Sequence, residues 1–222
     1  MMLFNRDRDR PWKFGLTTIL FLILAGYVKA QNAYVAFLDS SIVDIIQKDQ
    51  SGWKMLMYRG ITTLVEPKLL IVWTFILAFM LWGFKFKIPA LWCLLTLIGG
   101  DAIAFVVKNV MQRARPSAHL AIDDGFSFPS GHTFGTFLLI GMIWLILIPM
   151  ISTSWKAWLV RIILIIWMVL VMISRVYVNA HYPTDVIGSV LLAYLWLQVA
   201  EGLYIWLAPL MKRWPLLKKS EI

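Results

Sequence analysis

Six apolar runs of about the length that carries a helix across a bilayer, roughly 20 residues, follow one another along the chain at residues 14–28, 69–84, 88–107, 133–150, 158–173 and 186–207. They predict an all-α fold, a six-transmembrane-helix bundle forming one integral-membrane domain over residues 1–222. The longest polar connection, 31–68, holds two short amphipathic pieces. In the first, Asp39-Ser40-Ser41 reads as the cap of a helix whose face is Ile42, Val43, Ile45 and Ile46; the second covers 53–58. Both are expected to lie as short interfacial helices in the first outer loop, packed over the bundle or forming a rim by which a lipid tail enters. The basic start, Arg6 to Lys13, followed by an apolar run and Val28-Lys29-Ala30, has the layout of a secretory signal with a cleavage site. It is read here as a retained first span, because six spans bring all the candidate chemistry to one face.

Composition supports the membrane reading: 60% of residues are hydrophobic and mean hydropathy is +0.76, far from the values of a soluble domain. A formal net charge of +9 would suggest a nucleic-acid partner in a soluble protein. Here the basic residues flank the spans, so orientation in the membrane accounts for much of the charge and no nucleic acid is expected. Six spans put both termini on one side, which would carry Arg6, Arg8, Arg10, Lys13, Lys85, Lys87, Lys156, Arg161, Lys212, Arg213, Lys218 and Lys219. By the positive-inside rule that side is the cytoplasm. The single cysteine, Cys93, falls within a span and cannot form an intrachain disulfide. With three histidines in all, a structural zinc site is not expected.

Three polar clusters interrupt this apolar pattern. Pro129-Ser130-Gly131-His132 reads as a helix entrance: Ser130 is a good N-cap, Gly131 admits a ligand close to the backbone, and first-turn amides with the positive end of the helix dipole suit a phosphate. Lys108 and Arg115-Pro116 close the third span, seven residues apart and facing the same way if the helix runs that far. Ser174-Arg175 closes the fifth, and His181 and Asp185 follow across a turn supplied by Tyr182-Pro183, with Pro183 in the first turn of the sixth span. Asp185 would accept a hydrogen bond from one nitrogen of His181, leaving the other to attack. Because spans three, four and five alternate in direction, all three clusters share the non-cytoplasmic face. Singly, each is as well explained by interface anchors or a capping turn. Asp101, inside the third span, is either support for the site or a helix-packing hydrogen bond.

The combined pattern, Lys-x6-Arg-Pro, Pro-Ser-Gly-His and Ser-Arg-x5-His-x3-Asp, resembles the three-part signature of the type 2 phosphatidic acid phosphatase family, which also includes vanadium haloperoxidases and glucose-6-phosphatase-like enzymes. Every motif position matches: Lys108, Arg115 and Pro116; Pro129, Ser130, Gly131 and His132; Ser174, Arg175, His181 and Asp185. The resemblance implies that His181 is the nucleophile, taking the phosphoryl group as a phosphohistidine, that Asp185 orients its ring, and that His132 protonates the departing oxygen and then activates water. It implies that Lys108, Arg115 and Arg175, with the Ser130 hydroxyl and the Gly131 amide, hold the phosphate oxygens, so that no metal and no other cofactor is expected. The expected substrate is a lipid phosphomonoester or pyrophosphate lying in the bilayer: phosphatidylglycerol phosphate, phosphatidic acid or undecaprenyl pyrophosphate. A lipid phosphotransferase, a vanadate-dependent oxidase and a non-enzymatic headgroup-binding protein are the alternatives. His119, Asp123 and Asp124, between the first two motifs, are expected to be solvated loop residues or to select the substrate.

Overall fold

A computed structural model describes residues 7–49, 51–117 and 125–221; His119, Asp123 and Asp124 lie outside the described residues. Among the described residues every regular element is a helix. These are α1 (Arg10–Lys29), α2 (Ala33–Ile46), α3 (Gly52–Leu64), α4 (Pro67–Gly83), α5 (Lys87–Met111), α6 (Gly131–Met142), α7 (Ser154–Tyr177) and α8 (Pro183–Met211). Prolines open α1, α4 and α8, where a missing N–H costs nothing and a preset φ favours the first turn. Past Met142 the α6 helix continues as a π turn, Ile143–Leu147, and a 3-10 turn, Ile148–Met150. Pro149 explains the change, since its ring displaces the carbonyl four residues back and it has no amide to donate.

Five helical segments, α1, α5, α6 with its extension to Met150, α7 and α8, are long and apolar enough to cross a membrane. The remaining predicted span corresponds to α4, 17 residues long and at the lower end of the range that crosses a bilayer, which meets α3 at a bend of 52°. The central element is α8, which packs against α1, α5 and α6, while α4 lies on α5 and α7 on α6. The α5–α8 approach is close because Gly99 and Gly100 have no side chain there. A Cβ on Gly99 would fall 2.3 Å from the Trp196 ring. Two indole N–H groups tie the pair, Trp92 donating to the Ala200 carbonyl at 2.8 Å and Trp196 to that of Thr96 at 2.7 Å. Asp101 meets neither expectation. Its side chain is exposed on α5 and makes no hydrogen bond among the described residues.

The first connection does hold two helices, α2 against α7 and α8 and α3 against α7. The start of the first differs from expectation. Asn32, not Asp39, caps α2, accepting from the Tyr34 and Val35 amides at 3.0 and 3.4 Å. Asp39 sits in the middle of that helix and is 1% exposed. A buried carboxylate needs donors, and the bundle provides them, as described below.

Candidate functional site

The end of α5 is set from another helix. Lys29, in the last turn of α1, donates its ammonium to the carbonyls of Val110 and Met111 at 2.8 and 3.1 Å, groups that the end of a helix leaves open. Gln112 then adopts a left-handed conformation, φ 51°, and its amide closes on the Lys108 carbonyl at 3.0 Å. The helix therefore stops before Arg115, and the expected helical phase between Lys108 and Arg115 does not exist. Instead the chain leaves α5 extended and pairs with the segment before α6, the Ser127 amide donating to the Arg113 carbonyl at 2.7 Å. Lys108 reaches the same segment, donating to the Phe126 carbonyl at 2.8 Å.

That segment is held by Phe128, which is fully buried against α8 and stacks obliquely on Phe21, ring centroids 6.1 Å apart. Gly188 makes the room: a Cβ there would lie 2.4 Å from the Phe128 ring. Ser130 caps α6 as expected, its oxygen accepting from the Thr133 hydroxyl at 3.1 Å and, loosely, from the Thr133 amide at 3.5 Å. Its own amide donates to the Ser189 hydroxyl at 2.7 Å, which donates in turn to the Asp185 carbonyl at 2.6 Å, so the second motif is fastened to the third. In front of Gly131 the space is open, with only the Pro67 ring 4.0 Å from where a Cβ would stand. His132 follows in the first turn of α6, buried.

Arg175, fully buried in the last turn of α7, accepts on its carbonyl from the Ala180 and His181 amides at 3.1 and 3.2 Å. Asn179, at φ 58°, makes this reversal. Tyr182-Pro183 starts α8, as expected, but does not form the turn itself. These closures bring Arg115, His181 and Asp185 together. Arg115 donates to the carbonyls of Gly125 at 2.9 Å and Ala180 at 3.0 Å, and its Nη1 lies 3.2 Å from His181 Nε2. On the other side of the ring, Nδ1 is 3.7 Å from Asp185 Oδ2, beyond a hydrogen bond. The expected direct hydrogen bond is replaced by a hydroxyl. Ser127 Oγ donates to Asp185 Oδ2 and lies 3.4 Å from His181 Nδ1.

Three residues that the motifs omit complete the site. Besides Ser127, Arg113 donates to Asp185 Oδ1 and to Asp39 Oδ2, both at 2.6 Å, with its guanidinium 4.1 Å from the centre of the Tyr182 ring. Asp39 also accepts from the Thr184 amide at 2.9 Å and hydroxyl at 2.7 Å. Arg113 and Ser127 lie within or beside the motif stretches, so proximity in the chain offered a signal for both. Nothing in the sequence pointed to Asp39 as part of the site. Burial lowers the pKa of His181 to about 4, with the charges of Arg175 and Arg115 adding to the effect and Asp185 opposing it. The imidazole is thus neutral at ordinary pH, with a proton on Nδ1 facing Ser127 and Asp185 if Nε2 is to present a lone pair. Among the described residues no three His, Cys, Asp or Glu side chains are grouped as a metal ion would need.

Residues 89–208 match the family model described as PAP2 superfamily. Phosphatidylglycerophosphatase B of Bacillus subtilis (strain 168) is 30% identical over 188 residues, covering 83% of this chain and 91% of that protein. Phosphatidylglycerophosphatase B of Escherichia coli (strain K12) is 33% identical over 100 residues, 43% of this chain and 35% of that protein. Among solved structures, the transmembrane PAP2 type phosphatidylglycerolphosphate phosphatase from Bacillus subtilis aligns with a TM-score of 0.76 at 29% identity, covering 86% of this chain and 96% of that one. LpxE of Aquifex aeolicus aligns at 0.58 with 18% identity over 76% of this chain and 94% of that one, a likeness of fold alone.

Proposed function

We propose that this chain, which belongs to the PAP2 superfamily and is a multi-pass membrane phosphatase acting on lipid, hydrolyses phosphatidylglycerol phosphate through a phosphohistidine on His181. The substrate follows from the names of its relatives in Bacillus subtilis and Escherichia coli. The observation that carries the mechanism is the ring of His181, with Nδ1 turned toward Ser127 and Asp185 and Nε2 toward Arg115.

In the first step the Nε2 lone pair attacks phosphorus, a P–N bond forms, the ester P–O bond breaks, and His132 gives its proton to the departing lipid oxygen. The imidazolium so formed is stabilised by Asp185 through its contacts on the Nδ1 side. In the second step His132 takes a proton from water, the resulting hydroxide attacks phosphorus, and the P–N bond breaks to release inorganic phosphate. Lys108, Arg115, Arg175, the Ser130 hydroxyl and the Gly131 amide hold the phosphoryl oxygens as charge spreads over them. Arg115 must leave Nε2 for a phosphoryl oxygen as substrate enters, since it engages the lone pair that attacks. These cations supply the charge stabilisation, so the reaction proceeds without a divalent metal. Both termini are cytoplasmic and the site faces the opposite side of the membrane, the orientation favoured by the basic residues Lys85, Lys87, Lys156 and Arg161 on the side of the termini.

The test is phosphate release by detergent-purified protein with chelator present, from phosphatidylglycerol phosphate, phosphatidic acid and undecaprenyl pyrophosphate in parallel, beside His181→Ala. Release that survives chelation, is lost in the variant and is fastest with phosphatidylglycerol phosphate is expected. A fully active His181→Ala protein would refute the mechanism, and a faster rate on another lipid would refute the substrate. Transfer of labelled phosphate into lipid rather than water would make the protein a phosphotransferase.

A further inference from the structure

The ion pair between Arg113 and Asp185 does not end at Arg113. The same guanidinium reaches Asp39, 146 residues before Asp185 in the chain and on a helix that belongs to none of the motif segments. Asp39 is 1% exposed and Asp185 is fully buried, so both carboxylates depend on protein donors. Burying two anions around one cation is costly unless each remaining lone pair is hydrogen-bonded. The structure meets that condition closely. Asp39 Oδ1 accepts from the Thr184 amide and Oδ2 from the Thr184 hydroxyl and Arg113, while Asp185 Oδ1 accepts from Arg113 and Oδ2 from Ser127 and, at 2.9 Å, the Tyr182 amide. The Tyr182 ring lies over the guanidinium and removes its freedom to swing.

An arrangement so completely bonded does more than fill space. It aims one carboxylate oxygen of Asp185, through Ser127, at His181 Nδ1, and it keeps that carboxylate charged. We propose that Asp39 and Arg113 are positioning residues for the phosphatase reaction: Asp39 anchors the guanidinium of Arg113, which holds Asp185 and so the ring of His181. The interfacial helix α2 is therefore part of the catalytic apparatus rather than a cover over the bundle. The proposal rests on the assignment of His181 as nucleophile.

A positioning role predicts a particular pattern of loss. Arg113→Lys keeps the charge but has one ammonium where two nitrogens bridge two carboxylates, and Asp39→Asn keeps an acceptor for Thr184 but releases the guanidinium. Each is expected to lower kcat and the single-turnover rate of phosphoryl transfer to the enzyme by about ten- to a hundredfold, as loss of an orienting partner typically does. KM should stay within about twofold, and the loss of rate should persist at temperatures where each variant is fully folded, since altering a buried ion pair also lowers the melting temperature. In Arg113→Gln the two carboxylates face each other with no cation, and adding Asp39→Asn removes that repulsion. The double variant is expected to be several-fold faster than Arg113→Gln alone, whereas independent packing defects would multiply.

The proposal is overturned if Arg113→Lys and Asp39→Asn both turn over at the parental rate while His181→Ala is inactive, a result that leaves the nucleophile assignment standing. It is equally overturned if KM rises and kcat does not, since Arg113 also borders an open polar cavity with Lys29 and Asp44 and would then be binding substrate. Full activity of His181→Ala would remove both the proposal and the mechanism it rests on.

Discussion

Arg115 Nη1 stands 3.2 Å from Nε2 of His181, so a cation is held against the lone pair that the proposed attack would use. On the proposed mechanism, a substrate phosphate that draws the guanidinium onto its own oxygens would free Nε2 in the same movement. Arg115→Ala is accordingly expected to lower kcat/KM by about a hundred- to a thousandfold, the usual effect of losing one donor to a developing oxyanion. Arg115→Lys, which keeps the charge without the planar fork, should recover only part of that loss. Single-turnover kinetics on phosphatidylglycerol phosphate measure both; a lysine variant as fast as the parent would show that charge alone suffices.

The lowered pKa of His181 has two consequences of definite sign. Since the imidazole stays neutral down to about pH 4, the acid limb of kcat/KM attributable to the nucleophile should lie near that pH rather than near 6.5. Between these two values the unfolded chain takes up a proton that the folded protein refuses, so stability falls as pH is lowered from 6.5 toward 4, with no contribution from this group above that window. Melting curves from pH 4 to 7 should show a shallower decline in His181→Asn than in the parent. Parallel curves would contradict the assignment.

Ser127→Ala leaves the Nδ1 side of the ring without its bridge, at a separation of 3.7 Å from Asp185 that no direct hydrogen bond spans. It also removes one donor from a fully buried carboxylate, a loss of about 1–3 kcal/mol. Turnover is expected to fall about tenfold or more with little change in KM. An unaltered kcat would mean that His181 and Asp185 close directly on each other once substrate is bound.

Gly188→Ala should be damaging although the residue touches no substrate. Its methyl group would meet the Phe128 ring at 2.4 Å, and Phe128 is itself fully buried. Overpacking of this kind costs about 1–3 kcal/mol and displaces the segment that carries Ser127 and Ser130. Phe128→Leu, by freeing volume, is expected to restore part of the melting temperature in the double variant; a Gly188→Ala protein as stable as the parent would show the segment to be more yielding.

What the sequence displays well is whatever depends on local pattern. Apolar runs locate the spans, Ser130 announces itself as a cap, Pro183 as the start of α8, and the matching motif spacings locate His181, Asp185 and Arg115, which the fold then joins. What it conceals depends on contacts between distant elements. Asp39 looks like a cap because Asp-Ser-Ser is a capping sequence, yet Asn32 upstream captures the helix start and carries Asp39 into its interior. The departure of Arg115 from the helix is hidden likewise, since the end of α5 is closed by a lysine from α1. Even the exposure of Asp101 follows from how Gly99 and Gly100 seat α5 on Trp196, a packing choice that periodicity does not reveal.

The left-handed residue at Gln112 separates two cations that the motif writes as one unit. Lys108 rides on α5, a body spanning the membrane, whereas Arg115 hangs from a short strap moored to the turn between α7 and α8 through the Ala180 carbonyl. A phosphate gripped by both would therefore act as a caliper between those bodies. A phosphate held by both side chains would tie α5 to the turn between α7 and α8 across a break that the backbone itself makes.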